Sequence, residues 1–223
     1  MTQFISLFQA SIVFGTVILF GAVGEILTEK SGNLNLGVPG IMYLGGIASL
    51  IGVFYYERST PDPIPIICIL IALVCAIIAS MLGGLLFSFM TITLRCNQNV
   101  TGLVFNIFAG GFANFFGGSL NKLAGGVGQI NVLKTSAAFR TKIPGLANMG
   151  SFGQIFLNYG FLVYLAIVLA FLLHWFLNRT TIGMNLRAVG ENPATADAAG
   201  INVSKYKYLA TCIGAAISGI VRG

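Results

Sequence analysis

Charged side chains are scarce in this sequence. The 12 basic and 6 acidic residues make up 8% of the 223 residues, whereas a soluble domain carries roughly a quarter. They fall in a few clusters, and the apolar stretches between the clusters are long enough to cross a bilayer, which takes about 20 helical residues. Because a charge at mid-bilayer costs about 2.5–3.5 kcal/mol on insertion scales, this spacing indicates a protein with several membrane spans.

Residues for catalysis and metal binding are also few. There is one histidine, His174, and the four cysteines are scattered without a CxxC pair, so we expect no metal site and no catalytic residues. No GxxxxGK[ST] phosphate loop occurs, which predicts that the chain does not bind ATP and needs no cofactor of its own. These absences argue against a membrane enzyme.

Long apolar runs are what the sequence has instead, and mean hydropathy is +0.89. We predict an all-α fold, a polytopic membrane helix bundle in which residues 1–223 form one transmembrane domain. The N-terminus lacks the basic region of a signal peptide, so the first run is expected to stay as a span. The predicted spans are 4–27, 38–56, 66–94, 99–116, 157–177 and 206–221.

A polar segment, residues 179–207, interrupts the apolar runs and has the punctuation of two short helices. Thr180 or Thr181 is predicted to cap the first helix and Gly190 to end it. Asn192 before Pro193 is a cap followed by a favoured first helical residue, which predicts a second helix over 193–199 that Gly200 stops. Ser204 is predicted to cap the last span, beginning near Lys205. The alternative is an ordinary, well-formed cytosolic loop.

The run TTIGMNLRAVGENPATADAAGINV within this segment resembles the cytoplasmic coupling loop of ABC-importer permease subunits. The branch is that of branched-chain amino acids, simple sugars and nucleosides, and the likeness is closest to the nucleoside and simple-sugar permeases. The resemblance implies that residues 179–204 fit a groove on a separate ATP-hydrolysing subunit, which would hold ATP and Mg²⁺. The residues expected to couple the two subunits are Thr180, Gly183, Arg187, Ala188, Gly190, Glu191, Asn192, Pro193, Ala199 and Gly200.

The same resemblance predicts the partners and the location. It implies a multi-pass protein of the cell membrane that works with an ATPase subunit, a second permease and an extracytoplasmic binding protein or lipoprotein. A heterodimer of related permeases is favoured over a homodimer. Permeases of the family continue through further spans, and the run at 206–221 is barely long enough to cross a bilayer, so the chain is expected to be an N-terminal piece.

A first candidate for the substrate pathway is the stretch SGNLNLGVPG, residues 31–40. Glycines and asparagines at a helix break leave backbone groups unpaired, which lipid tolerates only where the break is buried or lines a wet cavity. The stretch also resembles the early GxLNLGxxG motif of the family, and it assigns Asn33, Asn35 and Gly37 to the pathway. The alternative is an interfacial loop whose asparagines cap helices.

A second candidate is the fourth predicted span, where small and amide residues recur every three or four positions. They form one helical face that offers hydrogen bonds to a hydroxyl-rich solute. The alternative is a small-residue seam between helices, with the amides bonded to neighbouring backbones. The pathway residues predicted here are Asn99, Asn106, Gly110 and Asn114, with Gly102 and Gly117 in the same series.

Span counting sets the predicted orientation. With the polar segment inside, residues 28–37 and Arg95 are also inside, while the N-terminus, residues 57–65 and residues 117–156 are outside. The predicted function is a permease subunit for a nucleoside or simple sugar, with amino-acid permeases closely related. The rival class is an ion- or proton-coupled carrier or channel, which usually needs buried acids that these runs hardly provide.

Overall fold

A computed structural model describes residues 2–123, 132–139 and 159–220. Within these ranges the chain is all-α, and the predicted helical bundle is confirmed. In chain order the elements are α1 (Thr2–Glu29), α2 (Val38–Ser59), α3 (Pro65–Ser88) with a π-helical turn after it (Phe89–Thr93), α4 (Gln98–Leu123), α5 (Leu133–Phe139), α6 (Phe161–Arg179), α7 (Thr181–Glu191), α8 (Pro193–Ala198) and α9 (Val203–Gly219).

Five of these helices are long and apolar enough to cross a membrane: Phe4–Glu29, Val38–Ser59, Pro65–Thr93, Gln98–Ser119 and Phe161–Arg179. They overlap the first five predicted spans. Their outward faces carry large apolar side chains, such as Ile107 at 78% exposure and Phe171 at 73%. A soluble monomer rarely exposes apolar patches of this extent, whereas a lipid-facing surface requires them. Most of predicted loop 117–156 lies outside the described residues.

The last predicted span forms α9, which has 17 residues and lies at the centre of the bundle. It packs against α1, α2 and α3. The contact with α1 is made at Gly24 and Gly214, where a methyl group on either residue would overlap the carbonyl oxygen of the other. Small residues at such a seam let two helix backbones approach closely, which is how membrane helices gain packing contacts.

Two further contacts hold the other helices. Helix α2 lies between α3 and α4, and Ile41, Phe105 and Ala109 form a buried cluster with Ala215 of α9. A second cluster joins α1, α6, α7 and α9 through side chains that include Leu27, Leu173, Leu186 and Ala210. Leu186 belongs to α7, so the polar segment is fastened to the bundle by apolar packing.

Candidate functional site

The polar segment forms two capped helices at one end of the bundle. The Thr180 hydroxyl accepts a hydrogen bond from the Gly183 N–H at 3.0 Å, and the Asn192 side-chain oxygen accepts one from the Thr195 N–H at 3.1 Å. Pro193 is the first residue of α8, and Gly200 follows that helix with a φ of +81°. The sequence therefore correctly predicted two helices, both N-caps and the glycine after the second.

Three details of the predicted punctuation were wrong. Gly190 does not end the first helix, because α7 runs on to Glu191 and Asn192 is its C-cap. The second helix ends at Ala198 rather than Ala199. The cap of α9 is Asn202, whose side-chain oxygen accepts from the Lys205 N–H at 2.9 Å. With that N–H satisfied, Ser204 lies inside the first turn of α9 and does not cap it.

The ten predicted coupling residues divide between two faces of the segment. Thr180, Gly183, Arg187 and Gly190 are buried or half-buried toward the bundle. Arg187 donates to the Asn178 side-chain oxygen at 3.3 Å and so ties α7 to the end of α6. The other six face outward and are exposed: Ala188, Glu191, Asn192, Pro193, Ala199 and Gly200.

Two exposed apolar residues of α7 were missed by the sequence reasoning. Ile182 is 57% exposed and Met184 is 46% exposed. Met184, Ala188 and Glu191 are spaced by four and three residues, so they share one helical face. That spacing was the available signal, because an apolar residue on the polar face of a short amphipathic helix indicates a surface that another molecule covers.

Gly190 joins the polar segment to the break between α1 and α2. A methyl group on Gly190 would overlap the carbonyl oxygen of Lys30. On the other side of this contact, Gly32 has a φ of +77° and lies against the Gly190 backbone. The contact puts the polar segment and the helix break at the same end of the bundle, as the span count requires.

The helix break itself is held by buried polar groups. One carboxylate oxygen of Glu25 accepts from the Asn35 N–H at 2.8 Å, and the Asn35 side-chain oxygen accepts from the Gly37 N–H at 2.9 Å. Asn33 is fully buried and donates to the Thr211 hydroxyl of α9 at 3.0 Å. Thus Asn33, Asn35 and Gly37 form one network that links α1, the break and α9.

Helix α4 closes the other side of the break. The Asn106 side chain accepts from the Gly40 N–H at 2.7 Å and donates to the Leu36 carbonyl at 2.7 Å. The Gln98 side-chain oxygen accepts from the Leu34 N–H at 3.0 Å. These bonds satisfy backbone groups that a helix break in lipid leaves unpaired, which favours the interpretation of Asn106 as a helix-joining residue.

The remaining predicted pathway residues lie elsewhere on α4. Asn99 and Asn114 are exposed, and a methyl group on Gly110 would meet no atom within 4 Å. The seven predicted residues are therefore not gathered into one site. Four of them form or clamp the break, and three lie along an open flank of α4.

Removing the Asn106 amide is expected to destabilise the protein. Asn106→Ala leaves the Gly40 N–H and the Leu36 carbonyl without their partners, which should cost about 1–3 kcal/mol per buried group left unsatisfied. Asn114→Ala, on the same helix but exposed, should cost less than about 0.5 kcal/mol. Thermal unfolding of both variants in detergent tests this, and equal midpoints for the two would contradict the clamping role.

Comparison with known proteins agrees with the geometry. The family described as "Branched-chain amino acid transport system / permease component" matches residues 7–221. The chain is 32% identical over 215 residues to the "Guanosine ABC transporter permease protein NupQ" of Bacillus subtilis (strain 168), covering 96% of this chain and 63% of the relative. It is 31% identical over 211 residues to the "Nucleoside ABC transporter permease protein NupC" of Lactococcus lactis subsp. cremoris (strain MG1363), covering 94% and 63%.

A third relative is named for a different solute. The chain is 29% identical over 214 residues to the "Putative glucose ABC transporter permease protein TsgC13" of Haloferax volcanii, covering 96% of this chain and 60% of the relative. The chain thus spans less than two thirds of the length of these three relatives. No solved structure matches the chain.

Proposed function

Because the chain belongs to the family of branched-chain amino acid transport permease components, we propose that it is the membrane subunit of an ATP-driven importer. It would carry a nucleoside or a simple sugar across the cell membrane. The chain is a multi-pass membrane protein, and permease subunits of this family are not catalytic. ATP and Mg²⁺ would therefore bind to a separate partner subunit.

The observation that carries this proposal is the division of the polar segment into two faces. The outward face, which includes Met184, Ala188 and Pro193, is exposed and partly apolar. The inward face is fastened by Leu186 in the apolar cluster and by Gly190 against Lys30. Such a segment offers a surface to an outside subunit and passes displacement to the helix break, which is what coupling requires.

The proposal has two further partners. A second, related permease would complete the membrane part, and a binding protein or lipoprotein outside the membrane would deliver the solute. Support for both comes from family membership, and the lengths of the relatives support further membrane structure beyond the 223 residues.

ATP-driven and ion-driven transport are separated by a protonophore. In sealed vesicles that hold the complete transporter and ATP, we expect solute uptake to persist when the proton gradient is collapsed. Uptake that stops with the gradient while ATP remains would instead support the carrier alternative. Glu25 offers little to that alternative, because one of its oxygens is already bonded to the break at the Asn35 N–H.

Enlarging one exposed residue of α7 tests the docking surface. Ala188→Trp adds bulk to the outward face without touching the bundle, so it should weaken association with the ATPase subunit by at least about tenfold, or 1.4 kcal/mol. Co-purification and ATPase measurements in the complete transporter provide the readout. The matched control is Ala22→Trp at an exposed position of α1, and an equal loss in both variants would count against docking at α7.

A further inference from the structure

A cavity of about 610 Å³ lies inside the bundle, away from the polar segment. Its walls come from α1 to α4, with α5 across one end and Ile220 beside it. The volume is within the range of about 300–1,000 Å³ that small-molecule sites occupy. None of the seven predicted pathway residues lines it, so the cavity is a separate feature from the helix break.

The walls of this cavity are largely apolar. Val17, Met42, Leu50, Val53 and Leu73 are typical of them, and no charged side chain is among the described residues that line it. Small-molecule sites generally combine such walls with a few polar groups that orient the ligand. An uncharged solute with an apolar part fits this lining.

Few hydroxyl groups reach the cavity, and two of them already have partners. Ser49 donates to the Gly46 carbonyl at 2.8 Å. The Thr135 hydroxyl donates to a carboxylate oxygen of Glu57 at 2.5 Å, and Tyr43 adds a phenol at the rim, where it is 59% exposed. The capacity of the walls to pair with the polar groups of a solute is therefore small.

This lining discriminates among the solutes that the family transports. An amino acid would bring two opposite charges into a lining without a counter-charge, which is strongly unfavourable. A hexose carries hydroxyl groups around its whole ring, and each would lose water without gaining a partner. A nucleoside joins a flat, uncharged base to a polar ribose, so its base alone can enter the apolar part while the ribose stays at the hydroxyl-bearing rim.

We propose that this cavity binds the base of a nucleoside and that nucleosides, rather than sugars or amino acids, are the solutes of this permease. The inference rests on the transport role proposed above and narrows its substrate. Helix α5 forms a cover over the site. Both the N–H and the hydroxyl of Thr135 donate to Glu57 of α2, and the Phe139 ring stacks on Phe161 of α6 at 5.8 Å.

Site occupancy is testable without measuring transport. Ser49→Cys places a thiol at the cavity wall, in a chain whose four native cysteines, Cys68, Cys75, Cys96 and Cys212, are replaced by alanine. In the complete transporter, guanosine or uridine at ten times its Kd should slow labelling by a methanethiosulfonate reagent about tenfold, because the free fraction falls as 1 + [L]/Kd. Glucose and leucine at the same concentration should leave the rate unchanged. Protection by glucose or leucine, or none by either nucleoside, would overturn the inference.

A matched pair of variants on α4 locates the binding. Ala113 lines the cavity, and Ala113→Leu should raise the Kd for nucleoside at least about tenfold, as expected when extra methylene groups fill an apolar pocket. A side chain on Gly111, two residues earlier, would meet open space, so Gly111→Leu should leave the Kd unchanged. Equal Kd values in both variants would contradict the assignment, and the labelling experiment stands even if Ala113→Leu fails to fold.

The two proposals fail in different ways. ATP-driven uptake of glucose or leucine with an unprotected cavity would overturn the nucleoside site and leave the importer role intact. Nucleoside protection of Ser49→Cys together with uptake that follows the proton gradient would overturn the ATP-driven role instead.

Discussion

Gly24→Val is expected to separate α1 from α9 and to destabilise the bundle by about 3 kcal/mol, at the upper end of overpacking effects. The added side chain would overlap the Gly214 carbonyl and the Ser218 hydroxyl of α9. Backbone atoms cannot move aside as a flexible side chain does, so only a shift of the whole helix can relieve the overlap. Because α9 also packs on α2 and α3, that shift would disturb the centre of the fold.

Gly15→Val on the same helix provides the control. A side chain at Gly15 would meet no atom within 4 Å, so the two variants share the change in helix propensity and differ only in packing. We expect the unfolding midpoint in detergent to fall for Gly24→Val and to stay near that of the unchanged chain for Gly15→Val. Similar midpoints would show that the close contact between α1 and α9 does not hold the bundle together.

Gly190→Val is expected to uncouple ATP hydrolysis from uptake. The valine would overlap the Lys30 carbonyl and displace α7 from the helix break, while the exposed residues Ala188 and Glu191 remain available to a partner. Hydrolysis should therefore continue, and the ratio of uptake to hydrolysis should fall about tenfold, or 1.4 kcal/mol, within the range of mutational effects on coupling.

The measurement needs both activities in one preparation of the complete transporter. Gly118→Val is the matched control, because a side chain at Gly118 would meet no atom within 4 Å, and its ratio should match that of the unchanged transporter. If hydrolysis and uptake fall together in Gly190→Val, the contact with Lys30 is needed for docking or folding and not for coupling.

Much of the fold follows from local sequence signals. The spacing of charges predicted the apolar helices, and the caps at Thr180 and Asn192 needed only the four residues around each of them. Hydrogen bonds between side chains and nearby backbone groups are short-range, so a sequence read in order reveals them. The exposed half of the polar segment was predicted for the same reason.

The errors concern residues whose partners are distant in sequence. Gly190 carried the local signature of a helix terminator, but Lys30, 160 residues earlier, explains why a side chain is excluded there. Likewise, nothing near Asn106 shows that its amide is bonded to Leu36 and Gly40 and not directed to a solute. Seam and pathway look alike in sequence because both use small residues and amides, and only tertiary contacts separate them.

The contact between Gly190 and Gly32 shortens the mechanical route into the membrane. Only residues 33–37 separate Gly32 from the start of α2 at Val38, and α2 supplies Met42 and Leu50 to the cavity wall. A push on α7 thus bypasses the long helices α6 and α9 and meets a stretch too short to absorb it by bending. The transmission behaves like a direct linkage, in which a small stroke outside the lipid is delivered to the cavity wall with little loss.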